Sequence, residues 1–143
     1  MRTLVRTKQT SQRGATQVEF ALSILTVVIL IFWTFEMAMV VYTYSVLSDA
    51  AKEGVRYAIV HGSQNGSPSG PSDYSNVVSK VNSYAQLSLH DISAINVSPS
   101  YIDGDNDAPH RVSVTVTYTY VPYIKLPFTS PTITTSAQGR IVY

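Results

Sequence analysis

Apolar positions are distributed along this chain in three ways, and each predicts a different element. From Phe20 to Phe35, sixteen residues run without a formal charge (FALSILTVVILIFWTF), and after Glu36 the apolar character resumes up to Leu47. At about 1.5 Å per residue, a helix from Phe20 to Tyr44 spans roughly 37 Å, more than the ~30 Å of bilayer hydrocarbon. The run therefore predicts one membrane-crossing helix. Beyond Leu47 the chain turns polar but keeps helical spacing, with Ala50, Gly54 and Ala58 at every fourth position and Ala51, Val55 and Ile59 beside them. The same helix is expected to continue outside the bilayer. Small residues four apart let another backbone approach closely, so Ala50, Gly54 and Ala58 form a helix-packing face, turned either to the rest of this chain or to a neighbouring subunit.

After His61 the stretch SQNGSPSGPS breaks the helix and predicts a flexible linker. Ser72 is an N-cap candidate with Asp73 in the first turn, where the helix dipole favours an acid. Tyr74, Val77, Val78, Val81, Tyr84 and Ala85 then recur at helical spacing to about Leu89. From Ala94 the period changes to two. AINVSPSYI is a short strand candidate, and from Arg111 to Tyr120 the alternation puts Val112, Val114, Val116, Tyr118 and Tyr120 on one face. Pro122 and Pro127 interrupt pairing, and Thr132 to Tyr143 reads as a last strand. The fold class is α+β: a long N-terminal transmembrane helix extending into a small head, with a second helix packed on an antiparallel sheet of about three strands. The organisation divides as 1–14 leader, 15–61 transmembrane and continuation helix, 62–72 linker and 73–143 head.

Charge orients this plan. Residues 1 to 18 carry Arg2, Arg6, Lys8 and Arg13 and no acid, a leader of +4, while the whole chain is only +1. Basic residues before the span and none within it predict a cytoplasmic N-terminus and an extracytoplasmic head. The charged fraction of 13% is about half the roughly 25% of a typical soluble domain, as one membrane helix and an uncharged polar head require. The near-neutral total gives no pull toward nucleic acid. With no cysteine, disulfide scaffolds, thiolate zinc sites and cysteine nucleophiles are excluded.

Two acids stand out against the apolar run. An ionisable group at membrane depth costs at least ~2.5 kcal/mol unless compensated. Glu19 sits at the mouth of the run, either as an interfacial carboxylate or as a contact for another chain. Glu36 lies inside the run as an intramembrane acid. Its nearest basic residue along the helix is Lys52, so it is protonated, meets a charge from elsewhere, or reaches the outer interface.

The context of Glu19 carries a resemblance. Arg13-Gly14-Ala15-Thr16-Gln17-Val18-Glu19-Phe20-Ala21-Leu22 and Ala50-Ala51-Lys52-Glu53-Gly54-Val55-Arg56-Tyr57-Ala58 resemble the two blocks of TadE-like proteins, minor pilins or pseudopilins of the tight-adherence (Tad, or Flp) type IV pilus system. The resemblance covers about the first 60 residues and implies that prepilin peptidase cuts after Gly14, leaving Ala15 as the N-terminus. Glu19, followed by Phe20, would be the assembly contact that pairs with the α-amine of a neighbouring subunit. It further implies a pilin-like head, location in the bacterial inner membrane with incorporation into a pilus in prospect, and three kinds of partner: prepilin peptidase, other pilins or pseudopilins with the Tad inner-membrane assembly platform, and the lipid bilayer. The implied role is structural, with no enzymatic activity, no cofactor and no nucleic acid.

Two other readings compete. One is a permanently anchored extracytoplasmic binding or scaffold module. The other is a secreted soluble domain whose first fifty residues are a signal peptide ending at Ser48-Asp49-Ala50; the apolar run exceeds the roughly 7 to 15 residues of a signal core. Asp103-Gly104-Asp105-Asn106-Asp107 imitates the start of a calcium loop, but Ala108 occupies the glycine position and Val114 that of the bidentate glutamate. An exposed hairpin loop is the expectation there. His61, His90 and His110 show no metal-ligand spacing, and no serine sits in a nucleophile elbow.

Overall fold

The computed structural model describes residues 10–124 and 130–142, with side chains from Gly14 onward. The leader residues Arg2, Arg6 and Lys8, the Arg13 side chain, Pro127 and Tyr143 lie outside what is described. Two compact units emerge, Met1–Met37 and Ala38–Tyr143. Helix α1 (Thr10–Val60) belongs to both. In the first unit α1 is apolar and exposed, and it is the one described helix long and apolar enough to cross a membrane. Its hydroxyls are satisfied within the helix: Ser23 Oγ donates to the Glu19 carbonyl, Thr26 Oγ1 to Leu22 and Thr34 Oγ1 to Leu30, at 2.8 to 2.9 Å. Where no water is available, such back-bonding removes the cost of an orphaned hydroxyl.

The second unit is the α+β head. Helix α2 (Ser75–Gln86) and strands β1 (Ile95–Tyr101), β2 (Arg111–Thr119) and β3 (Thr132–Arg140) follow α1 in chain order. The sheet is antiparallel with order β1-β2-β3. Alternation along β2 buries Val112, Val114, Val116 and Tyr118 on the inner face. Leu47, Ala50, Ala51, Val55 and Ala58 of α1 and Val77, Val81 and Ala85 of α2 complete that core. The outer face is polar: across from Ser113, Thr115 and Thr117 of β2 stand Gln138, Ser136 and Thr134 of β3.

The second helix starts later than its N-cap pattern predicts. Asp73 is not in the first turn. Its Oδ1 accepts hydrogen bonds from the Ser75 backbone N–H at 3.0 Å and from Ser75 Oγ at 2.7 Å, while Gly70 and Asp73 bridge each other's backbones. Pro71 and Ser72 are thereby spent in a turn, and Tyr74 holds the cap position without a side-chain bond. The same helix ends at Gln86, three residues short of Leu89. The last strand also stops early. After Arg140, Ile141 N–H still donates to the His110 carbonyl, but Val142 N–H donates to Ile59 at the end of α1, drawing the chain from the sheet onto the helix.

The 62–72 connection is held along its length. Ser63 N–H donates to the Asn106 carbonyl and Ser69 N–H to His61, and Asn106 Nδ2 donates to the Ser69 carbonyl. Ser69 is fully buried, with Tyr101 Oη donating to its Oγ at 3.3 Å.

Candidate functional site

The residues singled out by the sequence fall into three places. The first is the start of the membrane segment. Gly14 and Ala15 lie within continuous helix, and among the described residues a side chain at position 14 would meet no atom within 4 Å. Glycine in a helix interior costs roughly 1 kcal/mol against alanine, so the helix is weakened at the residue expected to precede the cut. Ala15 and Glu19 are four residues apart and share a helix face. Glu19 and Phe20 are exposed, and the Glu19 carboxylate makes no ion pair among the described residues.

The second place is Glu36. From Gly14 to Met37 it is the one described residue that is buried, at 7% exposure, between Phe35 at 48% and Met37 at 54%. The carboxylate position is thus distinguished from every neighbour along the apolar segment, a feature that hydropathy alone does not reveal.

The third is the small-residue face of α1. Ala50 and Ala58 are fully buried, and Gly54 lies against Val81 of α2 and Val114 of β2. The head's own core occupies this face. Gly139 of β3 extends the same contact, since a Cβ there would come within 2.8 Å of Val55 and 2.9 Å of Ile59. Alternation in β3 marks position 139 as inward-facing, but its partner on α1 is not readable from either element alone. Farther out on α1, Lys52 pairs with Asp49 at 2.9 Å and Arg56 with Glu53 at 3.6 Å on the solvated side.

The acidic loop between β1 and β2 is committed to its own chain. Asp103 takes Arg111 through the backbone N–H, Nε and the terminal guanidinium nitrogen, at 2.8, 3.2 and 2.7 Å. Those hydrogen bonds hold its carboxyl down at about 2. Asp105 engages His110 Nδ1, which lowers the carboxyl and raises the imidazole. Asp107 contributes its carbonyl to the His110 N–H. Among the described residues no group of three His, Cys, Asp or Glu is placed to hold a metal ion.

Residues 14–56 match the family described as TadE-like protein. The matched stretch starts at the glycine, runs through the apolar segment and passes Gly54, ending before the 62–72 connection, α2 and the sheet. Comparison with curated proteins and with solved structures gives no match. The family match supports association with the Tad pilus machinery, and with the apolar helix it supports a membrane-anchored protein.

Proposed function

We propose that this chain is a minor pilin or pseudopilin of the Tad/Flp pilus system, anchored by α1 with its N-terminus cytoplasmic and its head extracytoplasmic, and cut after Gly14 by prepilin peptidase. One observation carries the reading: the TadE-like match begins at Gly14 and takes in Glu19, the apolar run and the Gly54 block together. Gly14 is exposed, unobstructed and poor in helix propensity, which favours local unwinding into a peptidase groove.

Cleavage would create an α-amine with an ordinary pKa of about 7.7 to 8.0, largely protonated at neutral pH. Helical spacing puts it one turn from its own Glu19, and a neighbouring subunit brings a second amine of the same kind. An ammonium and a carboxylate in a medium of low dielectric attract strongly, offset by the cost of desolvating both. Selecting between partners in this way sets axial register among subunits on the assembly platform. The role is structural, with no catalytic step.

Replacing Gly14 with valine tests the reading directly. In cells with active prepilin peptidase the wild-type chain is expected to shorten and the Gly14→Val chain to remain at precursor mass. Identical masses for the two chains would contradict it.

A further inference from the structure

At one end of the open sheet face, β2 and β3 place two arginines side by side. Arg111 and Arg140 are direct cross-strand partners. The adjacent pair, His110 and Ile141, is joined by the Ile141 N–H to His110 carbonyl bond at 2.9 Å, so Arg111 and Arg140 occupy the non-hydrogen-bonded register in which side chains stand closest. Like charges in that position destabilise a sheet. The arrangement therefore calls for a compensating anion, and Asp103 supplies only half of it: three bonds fix Arg111, while Arg140 makes no ion pair among the described residues. Beside this pair lies a surface depression of about 300 Å³, lined by Arg111, Gln138, Gly139 and Arg140. Its lining has two cations, a carboxamide and backbone, with no carboxylate and no large apolar group.

We propose that this depression is a binding site for an acidic saccharide, a sugar unit carrying a carboxylate. Arg140, whose guanidinium makes no ion pair among the described residues, takes the carboxylate, since planar bidentate geometry suits guanidinium to that group. Arg111, held rigid by Asp103, presents its remaining N–H edge to the same oxygens. The Gln138 carboxamide, which carries both donors and an acceptor, offers the mixed partners that ring hydroxyls need. The volume accommodates one sugar ring, and the open side lets a chain continue. An extracytoplasmic head bearing such a site would attach to uronate-containing polysaccharide. The attachment role rests on the extracytoplasmic placement proposed above, whereas the binding site rests on the sheet geometry and stands whether or not Gly14 is processed.

The test is titration calorimetry on the full chain in zwitterionic nanodiscs, with trigalacturonate, neutral galactotriose and inorganic phosphate as three separate probes. Trigalacturonate is expected to bind at least tenfold more tightly than either of the others, and to weaken as salt rises. Arg140→Gln is expected to weaken trigalacturonate binding at least tenfold while leaving the melting temperature unchanged or slightly higher, because a repulsive pair is removed. Arg140→Lys should lose most of the same affinity, since charge is kept but the fork is not. Galactotriose binding as well as trigalacturonate, phosphate binding as well as trigalacturonate, no binding of trigalacturonate, or an Arg140→Gln chain that binds like wild type would each overturn the proposal.

Discussion

Gly54 of α1 faces Val81 of α2 so closely that a Cβ at position 54 would lie 2.5 Å from Val81 Cγ2 and 3.3 Å from Val114 Cγ1. The glycine is the condition on which helix, helix and sheet meet. Gly54→Ala gains about 1 kcal/mol of helix propensity, but overpacking a filled core costs typically about 1 to 3 kcal/mol. With a contact this short and Val81 fully buried, the overpacking prevails. Thermal unfolding of the head, followed by near-UV circular dichroism, should show Gly54→Ala less stable than wild type. Adding Val81→Ala should cost less in the Gly54→Ala background than in wild type, because it opens the space the methyl needs.

Tyr118 tests the opposite edge of the core. Its ring is buried and its hydroxyl donates to the Asp91 carbonyl at 2.8 Å, tying β2 to the loop after α2. Tyr118→Phe keeps the packing and loses the bond, a loss of about 1 kcal/mol by denaturant unfolding.

The β1–β2 loop makes a prediction about pH. Asp103 is held at about 2 by its bonds to Arg111, against about 3.9 for an unperturbed aspartate. A depressed carboxyl stabilises the fold above the unfolded value and loses that contribution as pH falls through the folded one. Asp103→Asn should therefore lower the melting temperature at neutral pH, and the difference from wild type should close between about pH 4 and pH 2. His110 has the reverse sign. Its imidazole is raised by Asp105, so its contribution is complete below about pH 6.5 and fades as pH rises through the higher folded value. Both pairs are solvent-exposed, and high salt should shrink both effects.

Glu19→Ala separates processing from assembly. The substitution leaves Gly14 and Ala15 intact, so the chain should still be shortened in cells with prepilin peptidase, while its recovery in sheared pilus fractions should fall. Unchanged recovery would remove Glu19 from the assembly contact.

Much of the head was legible because its signals are local. The alternation from Arg111 to Tyr120 states which residues face inward, and the period change near Ala94 marks where helix gives way to strand. What escaped was long-range. Asp73 looks like a first-turn acid, yet Ser75 and the Gly70 bridge claim it for a turn. The linker composition reads as free chain, yet Asn106, thirty-seven residues beyond Ser69, supplies the bond that fixes it. The apposition of Arg111 and Arg140 likewise depends on what the fold brings near, which no window of neighbouring residues contains. At the N-terminal end the placement was readable, since Gly14, Glu19 and the apolar run lie consecutively on one helix.

The most direct measurement of the central claim is the N-terminal residue of the chain recovered from the membranes of a bacterium with active prepilin peptidase. A minor pilin or pseudopilin requires Ala15. Recovery of Met1 alone would contradict the account and favour a permanent anchor, and recovery of Ala51 would contradict it in favour of a secreted head.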